Sequence, residues 1–184
     1  KETTLHYFRD PLLRALADDP QVDLAGVVVF GSPATERDKR FVAERVGAVV
    51  HATGADGAIL ATEGFGNNHV DFALALKEIT AYGMPCVGVT WAARQGRLVA
   101  GNEYMVALVE VNRSPEGRES RIVAENTARP QDARRAVAML KSLITGEWIR
   151  INPKNIGAYD ERNHVNLVFL SNETQPLVLE RDDR

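Results

Sequence analysis

The chain has a single cysteine, Cys86, in 184 residues. One thiol excludes an internal disulfide and any Cys-x-x-Cys metal site, and its setting in "PCVGVT" predicts a small buried side chain rather than a nucleophile. Histidine is also sparse. His6, His51, His69 and His164 show neither HxH nor HxxxH spacing, so no metal site is expected within the chain. Positive charge is not in excess: 22 Lys and Arg stand against 25 Asp and Glu, and a pI near 5.8 argues against nucleic acid as a partner. No apolar run reaches membrane-spanning length, and no charged start with a cleavage site marks a signal peptide. The expectation is a cytoplasmic protein with no membrane partner. The first residue is Lys1 rather than methionine; the mature product of a cleavage would begin this way.

What the chain does have is 45% apolar and 26% charged residues, enough for one substantial core and a single domain over 1–184. "VDLAGVVVFG" (Val22 to Gly31) is a continuous β-branched run ending in glycine, the pattern of a strand buried on both faces. Thr35 with Asp38 resembles a capping box, and Val42, Val46, Val49, Val50 and Thr53 recur at helical spacing before Gly54. The unit then repeats. "DGAILAT" reads as a second strand, "NNHVDFALALKEITAYG" as a second helix closed by Gly83, and "MPCVGVT" as a third strand. A further helix starts at Pro130 and ends at Gly146, with Ala133, Ala136, Val137, Leu140, Leu143 and Ile144 on one face.

This alternation predicts an α/β fold: a doubly wound, mostly parallel, Rossmann-like sheet with helices on both faces. Strands are expected near Leu24 to Phe30, Gly57 to Ala61 and Cys86 to Thr90, and helices at about 35–53, 68–82 and 130–145. "EYMVALVEV" fits either a strand or a short helix. From about residue 147 the chain reads as a less regular arm, with "HVNLVFL" and "PLVLE" as strands or an extended tail.

The chemistry gathers in "ATEGFGNNHV", Ala61 to Val70, at a strand-to-helix turn. A turn needs one glycine and one cap; this one carries a carboxylate, two glycines, two amides and an imidazole. In an open α/β sheet such a turn faces the ligand side. Gly64 and Gly66 let backbone approach a ligand, Asn67 or Asn68 is expected to cap the helix with Asp71 near its third position, and Glu63 can orient an ammonium. A third glycine is missing from Gly64-Phe65-Gly66, which excludes a dinucleotide fingerprint, and no Gly-Lys-Ser/Thr follows to make a phosphate loop. Trp91, Arg94, Gln95 and Asn102 follow the third strand and would emerge on the same edge, Arg94 suited to a carboxylate. Asn126 and Thr127 read as turn and cap residues ahead of the last helix.

"DGAILATEGFGNNHVDFALALKEI", "KETTLHYFRDPLL" and "ADDPQVDLAGVVV" together resemble the proprotein-derived subunit of the glycine, sarcosine, betaine and D-proline reductases, over Lys1 to about Thr90. From "GNEYM" onward the chain looks like a branch of that family. The resemblance implies a precursor that cuts itself at a cysteine, which becomes a pyruvoyl group heading the carboxyl-terminal fragment, upstream of Lys1 here. Its keto carbonyl takes a substrate amine as a Schiff base, and a thiol or selenol of a partner subunit cleaves the activated C–N bond. On this reading Lys1, Thr3, Thr4 and His6 are expected near the cofactor and Glu63 and His69 are expected to be catalytic, while Gly64, Gly66, Asn67 and Asn68, from the chemistry of the turn, and Arg94, from its place after the third strand, are expected to bind substrate. The amino-terminal fragment of the same precursor would be a tight partner. Two other readings stay open: a pyruvoyl-dependent biosynthetic enzyme without a selenoprotein partner, and a non-catalytic α/β subunit whose turn holds a carboxylate.

Overall fold

The computed structural model describes residues 10–62, 66–90, 99–111, 128–146, 148–151 and 159–162. Helix α1 (Pro11–Ala17) is capped by Asp10, whose side chain accepts from the Leu12 N–H at 2.7 Å. Helix α2 (Glu36–Ala52) starts as the Thr35 pattern predicts: the Thr35 hydroxyl accepts from the Asp38 N–H at 3.2 Å and donates to the Asp38 carboxylate at 2.8 Å. Strand β1 (Ala58–Ala61), helix α3 (Asn67–Ala81), strand β2 (Cys86–Thr90) and strand β3 (Leu108–Glu110) follow. "EYMVALVEV" thus resolves into a strand at its end. Helix α4 (Pro130–Thr145) has Pro130 in its first turn, and a hairpin of β4 (Trp148–Ile151) and β5 (Tyr159–Arg162) comes last.

The three central strands form one parallel sheet in the order β1-β2-β3, with Ala58 opposite Cys86 and Gly88 opposite Leu108. Successive strand residues point to opposite faces. One face gives Leu60 and Cys86 to a core with Val46 of α2 and Phe72, Ala75, Leu76 and Ile79 of α3. The other sets Val87, Val89 and Val109 against Ala136 and Leu140 of α4. Helices therefore cover both faces of a parallel sheet, as expected for α/β. Among the described strands the order runs one way, without the reversal that defines a doubly wound sheet.

The expected strand at Leu24 to Phe30 is a correction. The segment pairs with no strand, and Val27 and Val29 are 50% and 63% exposed. β-Branching favours extended backbone, but burial requires a neighbour, and this run has none among the described residues. The segment "HVNLVFL…PLVLE" lies outside the described residues.

Close approach explains Gly88. A Cβ there would stand 2.5 Å from Leu108 Cδ2 and 2.6 Å from Phe72 Cζ, where β2 is pressed between β3 and α3. Gly88→Ala is expected to lower stability by about 1–3 kcal/mol through overpacking, read as a lower urea midpoint with an unchanged slope.

Candidate functional site

β1 ends at Ala61 and α3 begins at Asn67, so the polar turn leaves the carboxyl edge of the sheet. The helix is not capped as its asparagines suggest. Its N-cap is Gly66, at φ 72°, and no side chain caps it. The Gly66 carbonyl instead accepts from the His69 and Val70 N–H groups at 3.1 and 3.2 Å. A positive φ is costly for any side chain, which accounts for glycine at this position. Asn67 and Asn68 thus sit inside the first turn and are exposed, and Asp71 lies in the second turn instead of near the third position.

Asp71 is 6% exposed and forms a buried ion pair with Lys39 of α2, itself 4% exposed; Nζ lies 2.8 Å from both carboxylate oxygens. Ser32 donates its hydroxyl to Asp71, and Lys39 Nζ also reaches Ser32 Oγ and the Asn67 carbonyl, each at 3.4 Å. Asn67 Nδ2 donates to Ser32 Oγ and the Pro33 carbonyl, each at 3.4 Å. One cluster thereby binds α2, the start of α3 and the segment before α2. The sequence carried a signal for it: Lys39 stands four residues before Ala43 and seven before Val46, both buried, on the same face of α2. A lysine there needs an acid from a neighbouring element.

His69, 1% exposed, packs its ring 5.4 Å from that of Phe72, and among the described residues its ring nitrogens make no well-formed hydrogen bond, the Ala100 backbone approaching short of ideal geometry. Burial pushes its pKa below the ordinary value, opposed in part by the Ala100 backbone, so the ring is held neutral. Asn102, expected on the ligand edge, is committed to structure, donating to the Ala73 carbonyl at 2.8 Å and accepting from the Tyr104 N–H at 3.0 Å. Cys86 lies in the β2 core with its thiol pushed up to about 12 by desolvation, which makes it inert. Among the described residues, no three His, Cys, Asp or Glu side chains are grouped to hold a metal ion, and no helix is long and apolar enough to cross a membrane. Gly66, Asn67, Asn68 and His69 come together at one helix end. Lys1, Thr3, Thr4, His6, Glu63, Gly64 and Arg94 lie outside the described residues, as do Trp91, Gln95, Asn126 and Thr127.

An α/β protein with its polar residues at a carboxyl-edge turn belongs to a large class, which sequence comparison narrows. The family described as glycine/sarcosine/betaine reductase component B subunits matches residues 1–112. The chain belongs to that family. A second match, to a family of unknown function, covers residues 101–184. The D-proline reductase proprotein PrdA of Acetoanaerobium sticklandii is 43% identical over 168 residues, 91% of this chain and 27% of its own length. The sarcosine reductase complex component B subunit alpha of Peptoclostridium acidaminophilum is 30% identical over 92 residues, 49% of this chain and 22% of its own. The chain thus spans about a quarter of each curated relative it matches. No solved structure matches it.

Two outcomes follow from this geometry. Asp71→Ala strands a buried ammonium and is expected to cost about 3–5 kcal/mol, whereas Asn68→Ala, exposed and not a cap, stays within about 0.5 kcal/mol; denaturant titration of both variants separates the two roles. For His69, the unfolded chain binds a proton near pH 6.5 and the folded protein only below it. Stability present above about 6.5 is therefore lost as pH falls from there toward the lowered folded value. The urea midpoint of the native protein should drop over that window more than that of His69→Gln.

Proposed function

We propose that this chain is the pyruvoyl-bearing subunit of a glycine, betaine or D-proline reductase-like complex, acting in the cytoplasm on a small amine or amino acid by reductive C–N cleavage. The observation that carries the reading is the 43% identity across 91% of the chain to a D-proline reductase proprotein. A proprotein is processed before it works, which supports a cofactor made from the chain's own backbone.

The pyruvoyl group would head the chain upstream of Lys1, beside Thr3, Thr4 and His6. Its fit is supported at His69, a buried ring on the first turn of α3 whose nitrogens make no well-formed hydrogen bond among the described residues. A buried polar atom without a partner is costly, and a ligand oxygen or nitrogen at this turn would relieve it. When present, the group supplies an electrophilic keto carbonyl that takes up an amine and draws electrons from the adjacent carbon. Everything else falls to side chains and backbone. Glu63 orients the substrate ammonium. Gly64 and Gly66 let the substrate close to backbone, and the uncapped N–H groups of Asn67 and Asn68 face its carboxylate, favoured by the helix dipole. Arg94 pairs with the same carboxylate. His69, neutral through burial, exchanges a proton with the reacting group. The amino-terminal fragment of the same precursor completes the site, and a thiol or selenol of a partner subunit supplies the reducing electrons.

Produced from its complete gene, the subunit is expected to resist Edman degradation and to add one hydrazine reagent per chain by intact mass; a free α-amine on Lys1 in that material would overturn the reading. Glu63→Gln should lower turnover by about 100-fold or more, the scale of a lost acid–base or orienting contact, with the unfolding midpoint unchanged.

A further inference from the structure

The unpaired run at Val22 to Gly31 is held at its ends and largely exposed between them, with Phe30 packed against the α2–α3 core. At its start Lys141 of α4 binds Asp19 Oδ2 at 3.0 Å and Gln21 Oε1 at 2.6 Å. Its far end is tied at Ser32 to the Lys39–Asp71 pair. Between these anchors it lines one side of a cleft of about 1490 Å³ that Ala58 to Thr62 of the β1 region also line. Val46, Val50 and Ile79 line the cleft from the face of α2 and α3, and Val137, Leu140 and Ile144 from the face of α4. A Cβ built on Gly26 or Gly31 would meet no atom within 4 Å.

β1 is open along this side. The Ala58 and Thr62 N–H groups turn to β2, donating to the Pro85 and Val89 carbonyls at 2.9 and 3.1 Å. Backbone groups alternate along a strand, so those of Ile59 and Ala61 face the cleft. Paired strands stand about 4.8 Å apart; the run would enclose no such volume if it were itself the neighbour of β1. The space also exceeds the roughly 300–1,000 Å³ of a small-molecule pocket. At its Ser32 end Asp71 is satisfied by Lys39 and Ser32, and the carboxylates of Asp23 and Asp56, which also line the cleft, are exposed to solvent.

We propose that this cleft is a slot for one β-strand of the accompanying polypeptide, the part of the precursor that corresponds to what the D-proline reductase proprotein carries beyond the matched 27% of its length. The strand pairs with Ile59 and Ala61 on one side and with Leu24 to Phe30 on the other. Its apolar side chains alternate between the α2–α3 face and the α4 face, and the sheet grows from three strands to five. The inference rests on the reading of the chain as a subunit cut from a longer precursor.

The test uses the complex expressed from the complete gene. Val27 is exposed, and the native Cys86 thiol is buried, so Val27→Cys accepts a benzophenone maleimide selectively. Illumination should join it to a peptide outside residues 1–184, and the Ile59 and Ala61 amides of the unmodified complex should exchange at least about 100-fold more slowly than in the separated chain. An adduct to any peptide within residues 1–184 of the same chain, an adduct between two copies, or fast exchange at both amides in the complex would each overturn the slot. Hydrazine labelling of the same sample reads the cofactor proposal separately: a labelled chain with an internal adduct refutes the strand and leaves the reductase reading standing.

Discussion

The buried ion pair between Lys39 and Asp71 is the constraint that the site depends on. Two charges taken out of water are tolerable only when their hydrogen bonds are met, and here Lys39 Nζ reaches both Asp71 oxygens while Ser32 donates to the same carboxylate. Apolar contact between α2 and α3 would hold the helices together without fixing how far one slides along the other, because hydrophobic attraction is non-directional. The hydrogen-bonded pair fixes that position. It sets α3 against α2, and with it the place where the polar turn must deliver its residues.

That placement gives the turn a division of labour. Gly66 supplies the positive φ, Asp71 and Asn67 hold structure, and Asn68 stays exposed. His69 is different in kind. It is among the most buried side chains of the chain, packed on Phe72 rather than pointing into solvent, and its ring nitrogens make no well-formed hydrogen bond among the described residues.

The same cluster links the turn to the open edge of the sheet. Ser32 ends the Val22 to Gly31 run and touches Asp71, so the segment beside the cleft and the first turns of α3 share one set of hydrogen bonds. The segment lining the cleft and the start of α3 are therefore joined through Ser32.

Periodicity alone determined α2, α3 and α4, β1 and β2, and the inward face of α4, because a 3.6-residue or buried-run pattern is a local property of the chain. The Thr35 cap and the inert Cys86 were legible for the same reason: each depends on immediate neighbours. Family resemblance was carried by contiguous residues, and the matches to residues 1–112 and to the D-proline reductase proprotein bear it out. Tertiary structure alone decided the rest. "VDLAGVVVF" has the sequence of a buried strand, yet a strand exists only where a neighbour pairs with it. Asn67 and Asn68 have the chemistry of caps, but the helix began one residue earlier, at the glycine whose φ the turn required. Lys39 and Asp71 are 32 residues apart, and only the packing of α2 on α3 could bring a charge on one apolar face to the single place on the other that neutralises it.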